Sequence, residues 1–180
     1  LEECVLADAG LLFGLLLGNS VLAFEPDTSD PMQLDVQKAI LEIKKVDPGI
    51  EAFFDHSAAY AVFPSVGKGG FVVGGAYGKG LVISAGKVVG NTTLTQASVG
   101  LQLGGQKYSQ FIFFKDDVAL ENFKRGNLEF GATASAVAVT AGASADTSYD
   151  KGVAVFTHAA GGLMVEGSIS GQKFTYEPKP

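Results

Sequence analysis

The stretch Gly69–Lys87, GGFVVGGAYGKGLVISAGK, decides the fold. Phe71-Val72-Val73 and Leu81-Val82-Ile83 are short apolar runs bounded by glycine, and the period of the pattern from Gly69 onward is two. Ser84-Ala85-Gly86-Lys87 has the composition of a tight turn between antiparallel strands. Downstream the same period continues. Ala97, Val99, Leu101 and Leu103 alternate with Ser98, Gly100 and Gln102, and Phe111–Phe114 is a fully apolar strand candidate. Ala132, Ala134, Ala136 and Ala138 alternate with Thr133, Ser135, Val137 and Val139, and 152–158, 162–168 and 173–176 supply further strands.

Upstream the period changes to that of a helix. Asp30 is an N-cap candidate and Pro31 suits the first helical position. Val36, Ile40 and Ile43 follow on one face, Lys44 and Lys45 complement the dipole at the far end, and Asp47-Pro48-Gly49 stops the helix. A second short helix is expected over 50–59, with Ile50, Phe53 and Phe54 inward and Pro64 ending that region. Asp116 and Asp117 open a third helix that closes with Lys124, Arg125 and Gly126. The fold class expected is therefore α+β: a curved, antiparallel, barrel-like sheet flanked by short helices near 31–46, 50–59 and 117–125.

Charge is segregated along the chain. The 60 positions between Asp55 and Asp116 hold no acidic residue but contain Lys68, Lys79, Lys87, Lys107 and Lys115. That segment carries +5 in a chain of net charge −6, so the remainder carries −11. Such a division suits a basic face for an anionic partner on an otherwise acidic body. The bland explanation is that glycine-rich strands leave few sites for carboxylates. A sequence pI near 4.8 argues against general nucleic-acid binding.

With 180 residues, 47% of them hydrophobic, and a mean hydropathy of +0.25, the chain can bury a sizeable core. We divide it into an apolar N-terminal segment with linker, 1–30, and a domain, 31–180. Residues 9–24, AGLLFGLLLGNSVLAF, form an uncharged run of 16, short of the ~20 residues that a spanning helix needs. The run has the character of a secretory h-region, with Val21-Leu22-Ala23 as a small-residue cleavage site, although Glu2, Glu3 and Asp8 stand where a basic region is expected. The alternative is an apolar element packed on the domain. The single Cys4 forms no intramolecular disulfide and does not fix the compartment.

Catalytic templates fail on spacing. Gly67-Lys68, Gly78-Lys79 and Gly86-Lys87 lack the upstream glycine and following Ser or Thr of a phosphate loop, and no G-x-G-x-x-G occurs. Ser65, Ser84, Ser148 and Ser170 each precede a lysine by three residues, but the accompanying S-D-N and K-T-G elements are missing, as is a G-x-S-x-G elbow. His56 and His158 belong to no metal-ligand pattern. The expectation is a non-enzymatic protein without catalytic residues, metal or cofactor. The binding candidates are Lys68, Lys79, Lys87 and Lys107, read as sitting in glycine-rich turns, with Phe71 as the aromatic that inserts. Their partner would be an anionic phospholipid or membrane surface, each basic residue contributing roughly 1 kcal/mol. The competing reading is that these lysines only protect strand edges.

The blocks in this region resemble a known family. Residues 61–80, AVFPSVGKGGFVVGGAYGKG, are similar to the opening block of the SYLF lipid-binding domain family, and 98–106, SVGLQLGGQ, to its second block. Phe111–Phe114, Ala119-Leu120, Phe130-Gly131-Ala132 and 161–168, GGLMVEGS, continue the resemblance in order over about 35–177. The resemblance implies a barrel-like sheet with flanking helices and phospholipid binding. In eukaryotic relatives it implies phosphoinositide preference and, for some, actin binding. It also implies a bacterial, single-domain member of the cell envelope. The chain has no Trp, where eukaryotic members carry one near Asn91-Thr92-Thr93, and no evident basic amphipathic N-terminal helix, which weakens the phosphoinositide and actin expectations. The class held in reserve is a structural or interaction protein that self-associates or binds a partner.

Overall fold

The structure, a computed structural model, describes residues 23–70, 73–99, 106–128, 130, 136–159 and 169–180. Three helices, α1 (Pro31–Val46), α2 (Glu51–His56) and α3 (Asp117–Lys124), accompany seven strands. These are β1 (Ala59–Gly70), β2 (Val73–Ser84), β3 (Lys87–Val99), β4 (Gln106–Phe114), β5 (Val137–Ala138), β6 (Val153–His158) and β7 (Gln172–Pro178). The sheet order is β5-β6-β4-β1-β2-β3-β7, so β1 to β4 form a Greek key in which the fourth strand returns beside the first. All pairings are antiparallel except β5 with β6.

The helix starts follow from local chemistry. Asp30 Oδ1 accepts the Met32 amide at 3.0 Å and caps α1, and Asp116 Oδ1 accepts the Ala119 amide at 2.9 Å and caps α3. The β2–β3 hairpin has a two-residue loop with positive φ at both positions, Ala85 at 49° and Gly86 at 74°. This matches the right-handed twist of its strands.

Two expectations need correction. Among the described residues the sheet is curved but not closed into a barrel: β5 and β7 end the strand order and do not pair with each other. The second helix stops at His56, and strand begins at Ala59, because Tyr60 and Val62 point to one apolar layer and Ala61 and Phe63 to the other. Pro64 therefore lies inside β1 rather than ending a helix. It has no N–H to give to a ladder, and the register of β1 slips there against both β2 and β4. The apolar N-terminal run up to Leu22, Phe71-Val72, positions 100–103, Ala132, Ala134 and the strand expected over 162–168 lie outside the described residues.

Both faces of the sheet bury apolar side chains. On the convex face, Tyr60, Val62, Leu81, Ile83, Phe111, Phe113 and Phe156 pack under Val36, Ile40 and Ile43 of α1 and Phe53 and Phe54 of α2. The rings of Phe54 and Phe113 meet edge-on at 4.9 Å between centroids. The concave face packs Ala61, Phe63, Val66, Val82, Leu94, Ile112 and Phe114 against Leu120 and Phe123 of α3 and Phe174 of β7. At its centre three buried amides meet. Gln110 Nε2 donates to Gln172 Oε1 at 2.8 Å, and Gln172 Nε2 donates back to Gln110 Oε1 at 3.0 Å. Gln172 Nε2 also approaches Gln96 Oε1 at 3.5 Å, and Gln96 Nε2 donates to the Ser170 carbonyl at 2.9 Å.

Asp47 fastens the helical layer to the loop after β5. Its carboxylate, 2% exposed, accepts the Ser144 amide at 2.7 Å and the Gly49 amide at 3.1 Å. Burial alone would raise its pKa. The amide donors outweigh burial and hold it below the ordinary carboxylate value.

Two outcomes follow. Asp47→Ala should cost about 2–3 kcal/mol at neutral pH, since a buried pair of bonds to a charged acceptor is lost. A depressed pKa stabilises fully above the unfolded value of ~3.9 and loses that contribution as pH falls through the folded value. Urea midpoints of wild type and variant should therefore converge in acid. For the amides, Gln110→Leu should cost more alone than when combined with Gln172→Leu, because the single change strands a buried amide. A double-mutant cycle in urea should give a coupling of about 1 kcal/mol or more; additive costs would contradict the pairing.

Candidate functional site

The helices cover only part of the convex face. Along β2, Leu81 and Ile83 lie beneath them, while Tyr77 and Lys79, two and four residues earlier on the same side, are exposed. Strand registers extend this uncovered area into two rows. The first runs Lys107–Gly67–Tyr77–Thr95–Lys173 across β4, β1, β2, β3 and β7. The second runs Ser65–Lys79–Thr93–Thr175 across β1, β2, β3 and β7. Directly opposed residues share a face of the sheet, so these side chains form one surface.

The two rows hold three lysines and no acidic residue. Lys79, Lys107 and Lys173 are all exposed, and Tyr77 has 52% of its surface open to solvent. The rest of the surface is threonine, serine and glycine. It offers hydroxyls, ammonium groups and one aromatic face, with no base or nucleophile activated by a neighbour. Among the described residues no group of three His, Cys, Asp or Glu could hold a metal, and no helix is long and apolar enough to cross a membrane.

The four lysines chosen from the sequence divide. Lys79 and Lys107 stand on the uncovered face in adjacent rows. Lys68 opposes Ala76, whose side chain is in the concave core, and is itself half-buried on that inner side. Its neighbour in the inner layer, Tyr108, has its pKa pushed up to about 12 by burial and stays neutral. Lys87 begins β3 at the hairpin, six residues beyond Thr93, which is roughly 20 Å along the strand from the Lys79 row. Phe71 lies outside the described residues.

The expectation that these lysines occupy turns is also corrected. Lys68, Lys79 and Lys107 lie within β1, β2 and β4, and Lys87 is the first residue of β3. Their glycine neighbours serve the sheet instead. A Cβ on Gly78 would come within 2.8 Å of Val66 Cγ2, and one on Gly80 would run into the Val62 carbonyl. Sequence reasoning missed Tyr77 and Lys173 as members of the site. Tyr77 was accessible through its i, i+2 relation to Lys79; Lys173 was not, because only the β3–β7 pairing brings it there.

Comparison with known proteins agrees with the resemblance drawn from the sequence. Residues 95–179 match the family model described as Ysc84, Las17-binding protein actin regulator. The chain is also 27% identical over 138 residues to beta cell expansion factor A of Aeromonas veronii, an alignment that covers 76% of this chain and 52% of that protein. The chain thus spans about half the length of the curated relative it matches. The family is one of binding domains rather than a known family of enzymes. The matched residues 95–179 contribute the end of β3, β4, α3, β5, β6 and β7, and over that span the chain is similar to Ysc84 domains of the SYLF type.

Proposed function

We propose that this domain binds anionic phospholipid surfaces, without catalysis, through the uncovered convex face. One observation carries the reading: Lys79, Lys107 and Lys173 surround the exposed Tyr77 on two neighbouring rows that hold no carboxylate. Phosphate headgroups need positive charge without fixed geometry, which lysine ammonium groups supply. A tyrosine has an apolar body and a polar tip, the character enriched where membrane meets water. The SYLF-type match supports the reading. In this proposal the domain works at the bacterial cell envelope, and the relative from Aeromonas veronii is consistent with a bacterial setting.

A second reading uses the same lysines for an acidic protein partner, and the family's description as an actin regulator favours it. Vesicles separate the two. Lys79→Gln, Lys107→Gln and Lys173→Gln together should weaken partitioning to phosphatidylglycerol vesicles by roughly 100-fold, at about 1 kcal/mol per lysine. Raising salt should shrink the difference, because exposed charges are screened over ~8 Å at physiological ionic strength. Lys68→Gln with Lys87→Gln should change partitioning less than threefold, since neither side chain shares the face. Equal loss in both variants would show that net charge alone acts; no loss in the triple variant would leave the acidic protein as the partner.

A further inference from the structure

Two glycines on the uncovered face are required neither by close packing nor by a left-handed φ. Gly75, Gly78, Gly80 and Gly90 each lie where an added Cβ would press on a neighbouring chain within 2.8 Å or less. Gly67 and Gly69 differ: a Cβ at either would meet nothing within 4 Å, and neither has a left-handed φ. Glycine inside a strand costs about 0.5–1 kcal/mol against alanine. Inside a strand glycine marks a bulge, a bend or a close approach to the backbone; the register slip of β1 lies before Val66, and from Val66 to Gly70 the pairing with β2 is regular.

The neighbours of Gly67 define what approaches. Its cross-strand partners are Lys107 on one side and Tyr77 on the other. Strands are ~4.8 Å apart, so the lysine and the tyrosine stand roughly 10 Å apart with bare backbone between them. We propose that this slot binds one anionic six-membered sugar ring, a pyranose carrying a carboxylate or a phosphate. The half-exposed Tyr77 ring offers its negative face to the weakly positive C–H face of a sugar. Lys107, with Lys79 one row away on β2, supplies the countercharge. The floor suits a ring better than a peptide strand, an acyl chain or a run of bases. β1 is already paired on both sides, so it has no free edge to take up a peptide strand. Glycine, serine and threonine offer nothing to an acyl chain, and a single aromatic reads one ring rather than a track of stacked bases.

The inference rests on the reading of this face as a ligand surface and adds the slot's own selectivity. The ring could come from a free saccharide or from a glycolipid headgroup. Calorimetry with trigalacturonate and maltotriose tests the first source; partitioning to vesicles carrying a glucuronosyl diacylglycerol, against phosphatidylglycerol vesicles of equal charge, tests the second. Wild type should bind trigalacturonate at least tenfold more tightly than maltotriose, or prefer the glucuronosyl vesicles by that factor. Gly67→Val should keep or raise the melting temperature and retain phosphatidylglycerol partitioning within threefold, yet lose the ring preference tenfold or more. Tyr77→Ser should lose it likewise, and Lys87→Gln should not. A lower melting temperature for Gly67→Val would show that the fold demands this glycine and overturn the inference. So would an unchanged ring preference in that variant, or no preference in wild type from either source. Phosphatidylglycerol binding that survives such a result would leave the phospholipid reading standing without the slot.

Discussion

The amide pair of Gln110 and Gln172 sets the shape on which the rest depends. Gln110 lies on β4 and Gln172 on β7, and three strands separate them in the sheet. In a flat sheet their backbones would be ~19 Å apart, far beyond the reach of two glutamine side chains. Their reciprocal bonds at 2.8 and 3.0 Å therefore require the sheet to curl until its third and seventh strands face each other. A barrel would join such strands by backbone ladders. Here side chains do it across the interior, with the rings of Phe63, Phe123 and Phe174 filling the layer beside them. Buried amides are costly unless satisfied, and this network satisfies them with one another and with the Ser170 carbonyl.

That curl divides the two surfaces by role. The concave side is packed with apolar side chains and tied by amides. The convex side is covered by α1 and α2 where its residues are large and apolar, and is left open where they become glycine, threonine and lysine. The boundary falls on β1 and β2, between Leu81 and Lys79. β1 thus runs from the core to the open face and antiparallel β2 runs back from the open face to the core, so the open face is stiffened by the same ladders that hold the core. A rigid face on strands positions charge better than a loop would.

Much of this was legible in the residues. Asp30-Pro31 and Asp47-Pro48-Gly49 bounded the first helix correctly, because capping is local chemistry. Ser84–Lys87 gave the hairpin for the same reason. Of the lysines in the acid-free segment, Lys79 and Lys107 share the open face of the sheet. Lys68 was read as a turn residue because glycine flanks it, whereas it lies within β1. Pro64 shifts the phase of β1, so Lys68 turns to the concave side and Gly67 to the convex side, opposite to what unbroken alternation from Tyr60 gives. The open sheet was read as a barrel because short strands and glycine bends suit both forms, and closure depends on which strands end the order. Lys173 joined the face through a pairing between distant parts of the chain, which no local pattern contains.

The strand order also separates pairings that are near in the chain from pairings that are far apart. The β2–β3 hairpin closes over two residues, and β1 with β2 and β4 complete a Greek key within a continuous stretch of chain. β7 joins only by contacts such as Thr92 to Thr175 and Gln110 to Gln172, which span 83 and 62 residues. Closing loops of that size is entropically late. Among the described strands, β7 is also the last in chain order. Without β7, Gln110 lacks the Gln172 amide and the concave layer lacks Phe174, although Leu120 and Phe123 of α3 still pack on it. The strand that seals the inside is the one that sets Lys173 on the outside, and the domain acquires its finished surface at the same moment as its finished core.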